Sequence, residues 1–183
     1  EIKVDIHIET SSTHKELADK TFERIDVEDK QEGKNVYFKT IHKKSDEKNK
    51  ESCKNCSNTM SIDYTIQMPA SNALNIENTF GSVELPDYAG PVTLVNKYGS
   101  LKTGKLSKPE KVAVEFGSAN IKSFGNVDLT FKYSSITIGS LSGNCKLNLS
   151  FCGYSKITLD NSLTGLTVND SYSSVHLDPA ANL

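Results

Sequence analysis

The residues of this chain best suited to chemistry are its cysteines and histidines, and the first to consider is the pair Cys53 and Cys56 in SCKNCSN. A C-x-x-C pair performs thiol–disulfide chemistry when its first sulfur lies at a helix N-terminus, which lowers the thiol pKa. It supplies half of a zinc site when a second pair lies at ligand spacing. Here the pair sits in a Lys- and Asn-rich stretch between strand-like segments. Cys145 and Cys152 lie far along the chain with six residues between them, and His7, His14, His42 and His176 are scattered. The expectation is therefore a local disulfide between Cys53 and Cys56 closing an exposed loop, or two free thiols, with no metal and no cofactor. Cys145 shares its parity with Leu147 and Leu149 and reads as a small core residue.

The bulk properties narrow the partners. With 21 Lys+Arg against 23 Asp+Glu the formal net charge is -2, which gives no electrostatic footprint for nucleic acid or an anionic membrane surface. The apolar runs are a few residues long and the mean hydropathy is -0.43, so no segment reads as transmembrane. The chain opens on Glu1 and at once on the alternating IKVDIHI, and a leader removed before Glu1 is expected. No Trp, two Met, 11 Gly and abundant Ser, Thr and Asn suit many short strands joined by tight turns.

Stepping along the chain, Ile2, Val4, Ile6 and Ile8 alternate as in a half-buried strand over 2–8. Thr10, Ser11 or Ser12 can cap a helix, Glu16 lies within capping-box reach of Thr13, and Leu17, Ala18, Phe22 and Ile25 carry helical spacing, which predicts a helix over about 12–24. IDVED and NVYFKTI flank KQEGK, where Gly33 suits a hairpin turn. Residues 42–58 are almost wholly polar and read as an exposed loop. SIDYTIQMP, 61–69, alternates again. Residues 1–70 thus read as a β-α-β-β-β element.

From residue 74 a repeat takes over. Taking an aromatic as position zero, it recurs as Phe80, Tyr98, Phe116, Tyr133, Tyr154 and Tyr172, at intervals of 18, 18, 17, 21 and 18. Position +1 reads Gly81, Gly99, Gly117, Ser134, Ser155, Ser173, and position +3 reads Val83, Leu101, Ala119, Ile136, Ile157, Val175. Position +5 reads Leu85, Thr103, Ile121, Ile138, Leu159, Leu177. Position -4 reads Ile76, Leu94, Val112, Leu129, then Leu149 or Ser150, then Val168. This predicts a single-stranded β-solenoid over 71–183, about six coils of ~18 residues, with those columns turned inward and stacked at strand spacing. The Gly and Ser at +1 are expected at a corner that tolerates no large side chain. A right-handed coil is the expectation, although the pattern does not itself set the hand. The competing architecture is a β-sandwich of irregular strands.

Within that frame, catalysis by stacked carboxylates can be weighed. Position +4 reads Glu84, Lys102, Asn120, Thr137, Thr158, His176, and position -1 reads Thr79, Lys97, Glu115, Lys132, then Cys152 or Gly153, then Ser171. No two carboxylates fall on neighbouring coils of these columns, as an acid/base pair or a calcium site requires. No G-x-S-x-G elbow and no Gly/Asp-rich calcium nonapeptide is present. No catalytic residue is assigned. Ladders of Ser, Thr, Asn and Tyr suit repeated contact with a glycan or another surface protein.

The order of these pieces resembles a family of extracytoplasmic proteins, chiefly of Bacteroidetes-type bacteria, with an adhesin-type β-helix domain (domain-of-unknown-function class 4097). The likeness is carried by IKVDIHI, THKELADKTFERI, SIDYTIQMP and the corners NTFGS, NKYGS, KYSS and SYSS. It implies a signal peptide, a periplasmic, surface or secreted location, and no established enzymatic activity. The expected function is a non-enzymatic surface scaffold, an adhesin or a glycan- or protein-binding surface. The alternatives are a polysaccharide-active β-helix enzyme and a periplasmic partner of envelope signalling. The first 70 residues are expected to cap the open coil edge, since an uncovered edge recruits further strands. HLDPAANL carries no capping segment, and further coils or a covering chain are expected beyond it.

Overall fold

The computed structural model describes residues 1–33, 35–44 and 56–179. The chain divides into two compact units, Glu1–Met68 and Pro69–Leu183, two residues from the expected boundary.

In the first unit β1 (Lys3–Ser12) precedes α1 (Lys15–Phe22), the hairpin strands β2 (Ile25–Glu32) and β3 (Asn35–His42), and β4 (Asn58–Gln67). β4 returns to pair antiparallel with β1, setting Val4 opposite Ile66, Ile6 opposite Tyr64 and Ile8 opposite Ile62, so the alternation of both strands brings their apolar sides to one face. β2 and β3 form a separate antiparallel pair. A Thr40 Oγ1–Tyr64 Oη hydrogen bond of 2.5 Å joins β3 to β4. Gly33 turns the hairpin with φ 61°, a left-handed conformation that glycine adopts without a Cβ clash.

The helix is shorter than the 12–24 predicted. β1 runs on through Ser12 because Ser11 and Ser12 pair with Thr59 and Asn58 of β4. His14 takes the N-cap position with no side-chain cap, so the expected capping box does not form. Thr10 Oγ1 instead donates to the Ala18 carbonyl at 3.1 Å. Tertiary strand pairing here overrides a local start signal.

The second unit is a parallel β-solenoid. Its strands are β5 (Leu74–Thr79), β6 (Val83–Leu85), β7 (Tyr88–Lys97), β8 (Ser100–Glu115), β9 (Ser118–Gly125), β10 (Asp128–Lys132), β11 (Ser135–Ser150), β12 (Tyr154–Ser171) and β13 (Ser174–Asp178). One face stacks β5, the C-terminal parts of β7 and β8, β10, and the C-terminal parts of β11 and β12, all in register. Another stacks β6, the start of β8, β9, and the starts of β11 and β12, and ends in β13.

Inward columns then follow from register. Position -4 is Ile76, Leu94, Val112, Leu129, Leu147 and Val168. Its central members Leu94, Val112, Leu129 and Leu147 are at most 1% exposed. Phe131, fully buried, stacks between Val114 and Leu149 in the column two residues further on. Two and three rungs earlier the same column holds Asn96 and Asn78, tied by an Asn78 Nδ2–Asn96 Oδ1 bond of 2.8 Å. Each coil alone is too short to enclose a core, and stacking identical columns supplies the burial.

The fifth coil corrects the predicted columns. Position zero is Phe151, not Tyr154: Ser150 pairs with Ser171, and the Phe151 amide donates to the Ser171 carbonyl at 2.8 Å, as the Tyr133 amide does to Ser150 at 2.9 Å. The -4 residue is therefore Leu147, and Cys152 rather than Ser155 takes the +1 corner. Ser155 lies at +3 opposite Ile136, and Ile157 at +5 opposite Ile138. The extra residues fall after the corner rather than before it, chiefly between Leu159 and Gly165, where the partners step irregularly. There Asp160 accepts from Ser162 Oγ at 2.6 Å, from the Ser162 amide at 2.9 Å and from Ser140 Oγ at 3.1 Å. Those bonds, the Ser162 hydroxyl first, hold its carboxyl below the usual range.

Candidate binding surface

The aromatic column lies outside the core, at the corner between two faces. Phe80, Tyr98, Phe116, Tyr133, Phe151 and Tyr172 have φ between 48° and 65°, so the left-handed residue at each corner is the aromatic itself. Of the +1 residues, Gly81 alone has positive φ, at 126°. A left-handed L-residue costs about 1–2 kcal/mol. In-register stacking offsets that cost: neighbouring rings lie 4.7–5.1 Å apart with interplanar angles of 2–17°, and such pairs contribute about 0.5–1.5 kcal/mol each.

The +1 column behaves as predicted for close approach. A Cβ on Gly99 would sit 1.7 Å from the Gly81 carbonyl oxygen, and one on Gly117 1.9 Å from that of Gly99. Where the column changes to Ser134 and Cys152, both buried, the side chains bond the corner instead. Ser134 Oγ donates to the Lys132 carbonyl at 2.6 Å, and Cys152 Sγ to the Phe131 carbonyl at 3.3 Å.

The ladder is exposed along its whole length, from 41% at Phe116 to 83% at Tyr172. Roughly half of the ~150–250 Å² that each such ring carries leaves on the order of 600 Å² of contiguous aromatic surface, at the upper end of the largest patch that a monomer commonly shows, a size that is often functional. Ring faces are turned to one another, so the outside meets ring edges and phenol groups. The hydroxyls of Tyr98, Tyr133 and Tyr172 have no hydrogen-bond partner among the described residues.

Two polar rows flank the ladder. On one side run Thr79, Lys97, Glu115, Lys132, Ser150 and Ser171. Lys97 Nζ lies 3.4 Å from Glu115 Oε2, while Lys132 makes no ion pair among the described residues. On the other side run Ser100, Ser118 and Ser135, with Ser82 bonded to Ser100 at 2.7 Å. Tyr154 belongs to this hydroxyl row, opposite Ser174, and is 63% exposed.

The remaining sequence candidates are not brought together. Cys53 lies outside the described residues, as does most of the polar loop 42–58; Cys56 is disulfide-bonded. Cys145 and Cys152 are buried free thiols. His176 Nε2 lies 2.8 Å from Asp178 Oδ1 at the last strand, and among the described residues no three His, Cys, Asp or Glu cluster as metal ligands. Position +4 at the fifth coil is Lys156, not Thr158, and the -1 residue is Ser150 rather than Cys152 or Gly153. Glu84 pairs with Lys102 at 2.7 Å. Among the described residues no helix is long and apolar enough to cross a membrane.

Sequence reasoning found five of the ladder residues, but as core; it missed that the ladder is surface, and it missed Phe151. The Phe/Tyr alternation appears only with Phe151 in place; with Tyr154 at the fifth rung the column reads Tyr133, Tyr154, Tyr172 and the pattern breaks. No known protein family, no curated protein and no solved structure matches this chain.

Proposed function

We propose that this protein is a non-enzymatic extracytoplasmic scaffold whose exposed aromatic ladder is a glycan-binding surface of adhesin type. The observation that carries the reading is the ladder itself: six rings held in register on a rigid coil and left open to solvent. A soluble chain that exposes so much contiguous aromatic surface has a reason to keep it uncovered. The rows beside it are rich in hydroxyls and charged groups, which suits an oxygen-rich ligand better than an apolar protein face. The resemblance to the class-4097 adhesin-type β-helix proteins supports the same reading. The bonded Cys56 supports an oxidising compartment, where such bonds persist.

The test is binding to an array of soluble neutral and acidic oligosaccharides by the whole chain and by the F116S/Y133S variant. Binding that falls at least about tenfold in the variant, with the far-ultraviolet circular dichroism retained, supports the ladder as the surface. Binding unchanged in the variant, or absent in the parent chain, overturns it.

A further inference from the structure

The ladder has a second period that the fold does not require. Its rings alternate without exception: Phe80, Phe116 and Phe151 occupy the odd rungs, Tyr98, Tyr133 and Tyr172 the even ones. Stacking alone does not ask for this, because Phe and Tyr rings stack alike. Over three rungs, those of Tyr98, Phe116 and Tyr133, the adjoining row keeps the same period, before it gives way to Ser150 and Ser171 beside Phe151 and Tyr172. Lys97 precedes Tyr98 and Lys132 precedes Tyr133, whereas the rung between them carries Glu115 beside Phe116. Donors, an ammonium and a phenol hydroxyl, therefore recur together on alternate rungs, with a carboxylate and a bare ring between them. At the ring spacings of 4.7–5.1 Å, the donor pairs stand roughly 10 Å apart, two strand spacings.

The charges are available to a ligand. Lys132 is exposed and without an ion pair among the described residues. The Lys97–Glu115 pair is a surface contact, with side chains 47% and 32% exposed, of the kind a competing anion displaces easily. Beyond the corner, Ser82, Ser100, Ser118 and Ser135 add a hydroxyl on each of the first four rungs, and Tyr154 continues that row at the fifth.

We infer that the ladder binds a linear acidic glycan lying along the solenoid axis, with one carboxylate per disaccharide seated at each Lys–Tyr rung. This rests on the reading of the ladder as a glycan surface and adds its ligand class. An extended β-linked pyranose chain advances about one rung per sugar, so every second sugar returns to the same donor pair. Glu115 puts a negative charge on the intervening rung, and the like-charge repulsion it adds penalises a chain that carries a second carboxylate in each disaccharide. The outward ring edges, carrying the positive side of the aromatic quadrupole, favour sugar oxygens over apolar faces.

The probes are hyaluronate oligosaccharides, which alternate glucuronate with an uncharged amino sugar, β-(1→4)-linked oligomannuronate, with a carboxylate on every sugar, and neutral cellohexaose, each titrated calorimetrically against the whole chain. Hyaluronate is expected to bind tightest and to weaken as salt rises. K97Q/K132Q is expected to weaken it roughly a hundredfold, about tenfold for each charge-assisted contact, and to leave cellohexaose within about twofold. E115Q is expected to raise oligomannuronate binding about tenfold, a gain that loss of structure cannot mimic. Oligomannuronate or cellohexaose bound as tightly as hyaluronate overturns the inference and leaves the ladder reading standing. Binding of none of the three, or binding indifferent to both K97Q/K132Q and F116S/Y133S, removes both.

Discussion

The two units of this chain use the same raw material, short strands with alternating apolar residues, and reach different degrees of enclosure. In the solenoid, Val92, Val112, Ile121, Leu129, Phe131, Leu141, Leu147 and Ile157 are fully buried. Among the described residues of 1–68 none is buried, and the apolar side of β1 stays half-exposed at Val4, Ile6 and Ile8. The difference is one of neighbours. A two-stranded sheet covers an apolar side chain from one direction, whereas a central rung has an identical rung on each side and two further walls of the coil around it. Closure and repetition, not apolar content, make the core.

That contrast breaks most sharply at the centre of the stack. F131A removes the largest fully buried side chain of the solenoid and is expected to cost about 3–5 kcal/mol, whereas I6A in half-covered β1 is expected to cost about 1 kcal/mol. Urea denaturation of the two variants measures both, and equal losses would show the first unit to be as tightly enclosed as the second. A smaller effect comes from the corner. G117A places a Cβ 1.9 Å from the Gly99 carbonyl oxygen, so the backbone must shift across two rungs, at an expected cost of about 2–4 kcal/mol. A matching substitution at Gly33, where no atom lies within 4 Å, meets only the strain of positive φ, about 1–2 kcal/mol.

The smallest effect concerns pH. Burial pushes the Tyr88 phenol above its ordinary value, and its hydroxyl donates to the Asn72 carbonyl at 2.8 Å. A folded-state pKa raised above the unfolded one makes the neutral form the stabilised one. Its contribution is therefore complete below the ordinary tyrosine range, about 10, and is lost as pH rises from there through the raised folded value. Thermal unfolding followed from pH 8 to 11 is expected to show a steeper alkaline fall in the parent chain than in Y88F. Parallel falls in the two would contradict this.

Much of this was legible in the sequence because a solenoid writes its structure as a linear repeat. An inward column is one residue type recurring about every eighteen positions, and Ile76, Leu94, Val112 and Leu129 declare it without reference to any distant part of the chain. The first unit was readable for a different reason: the period-2 strands around the 3.6-period segment kept their signatures, although the helix shortened at both ends and β1 and β4 lengthened where they pair. The fifth coil was not readable. Phe151 and Tyr154 are both aromatic and three residues apart, Tyr154 is followed by the Ser that marks other corners, and only the carbonyl of Ser171 receiving the Phe151 amide separates them. Nor does spacing distinguish a stacked column turned inward from one turned out, since both recur at the same interval.

The sequence alone therefore determined that the chain is a β-solenoid behind a β-α-β-β-β unit, because periodicity and turn chemistry are local properties summed along the chain. Only the tertiary structure decided that the aromatic column is a surface and which aromatic completes its fifth rung. Outwardness at a corner is set by the left-handed backbone at each ring, and that conformation exists only once neighbouring rungs have locked its amides and stacked its rings.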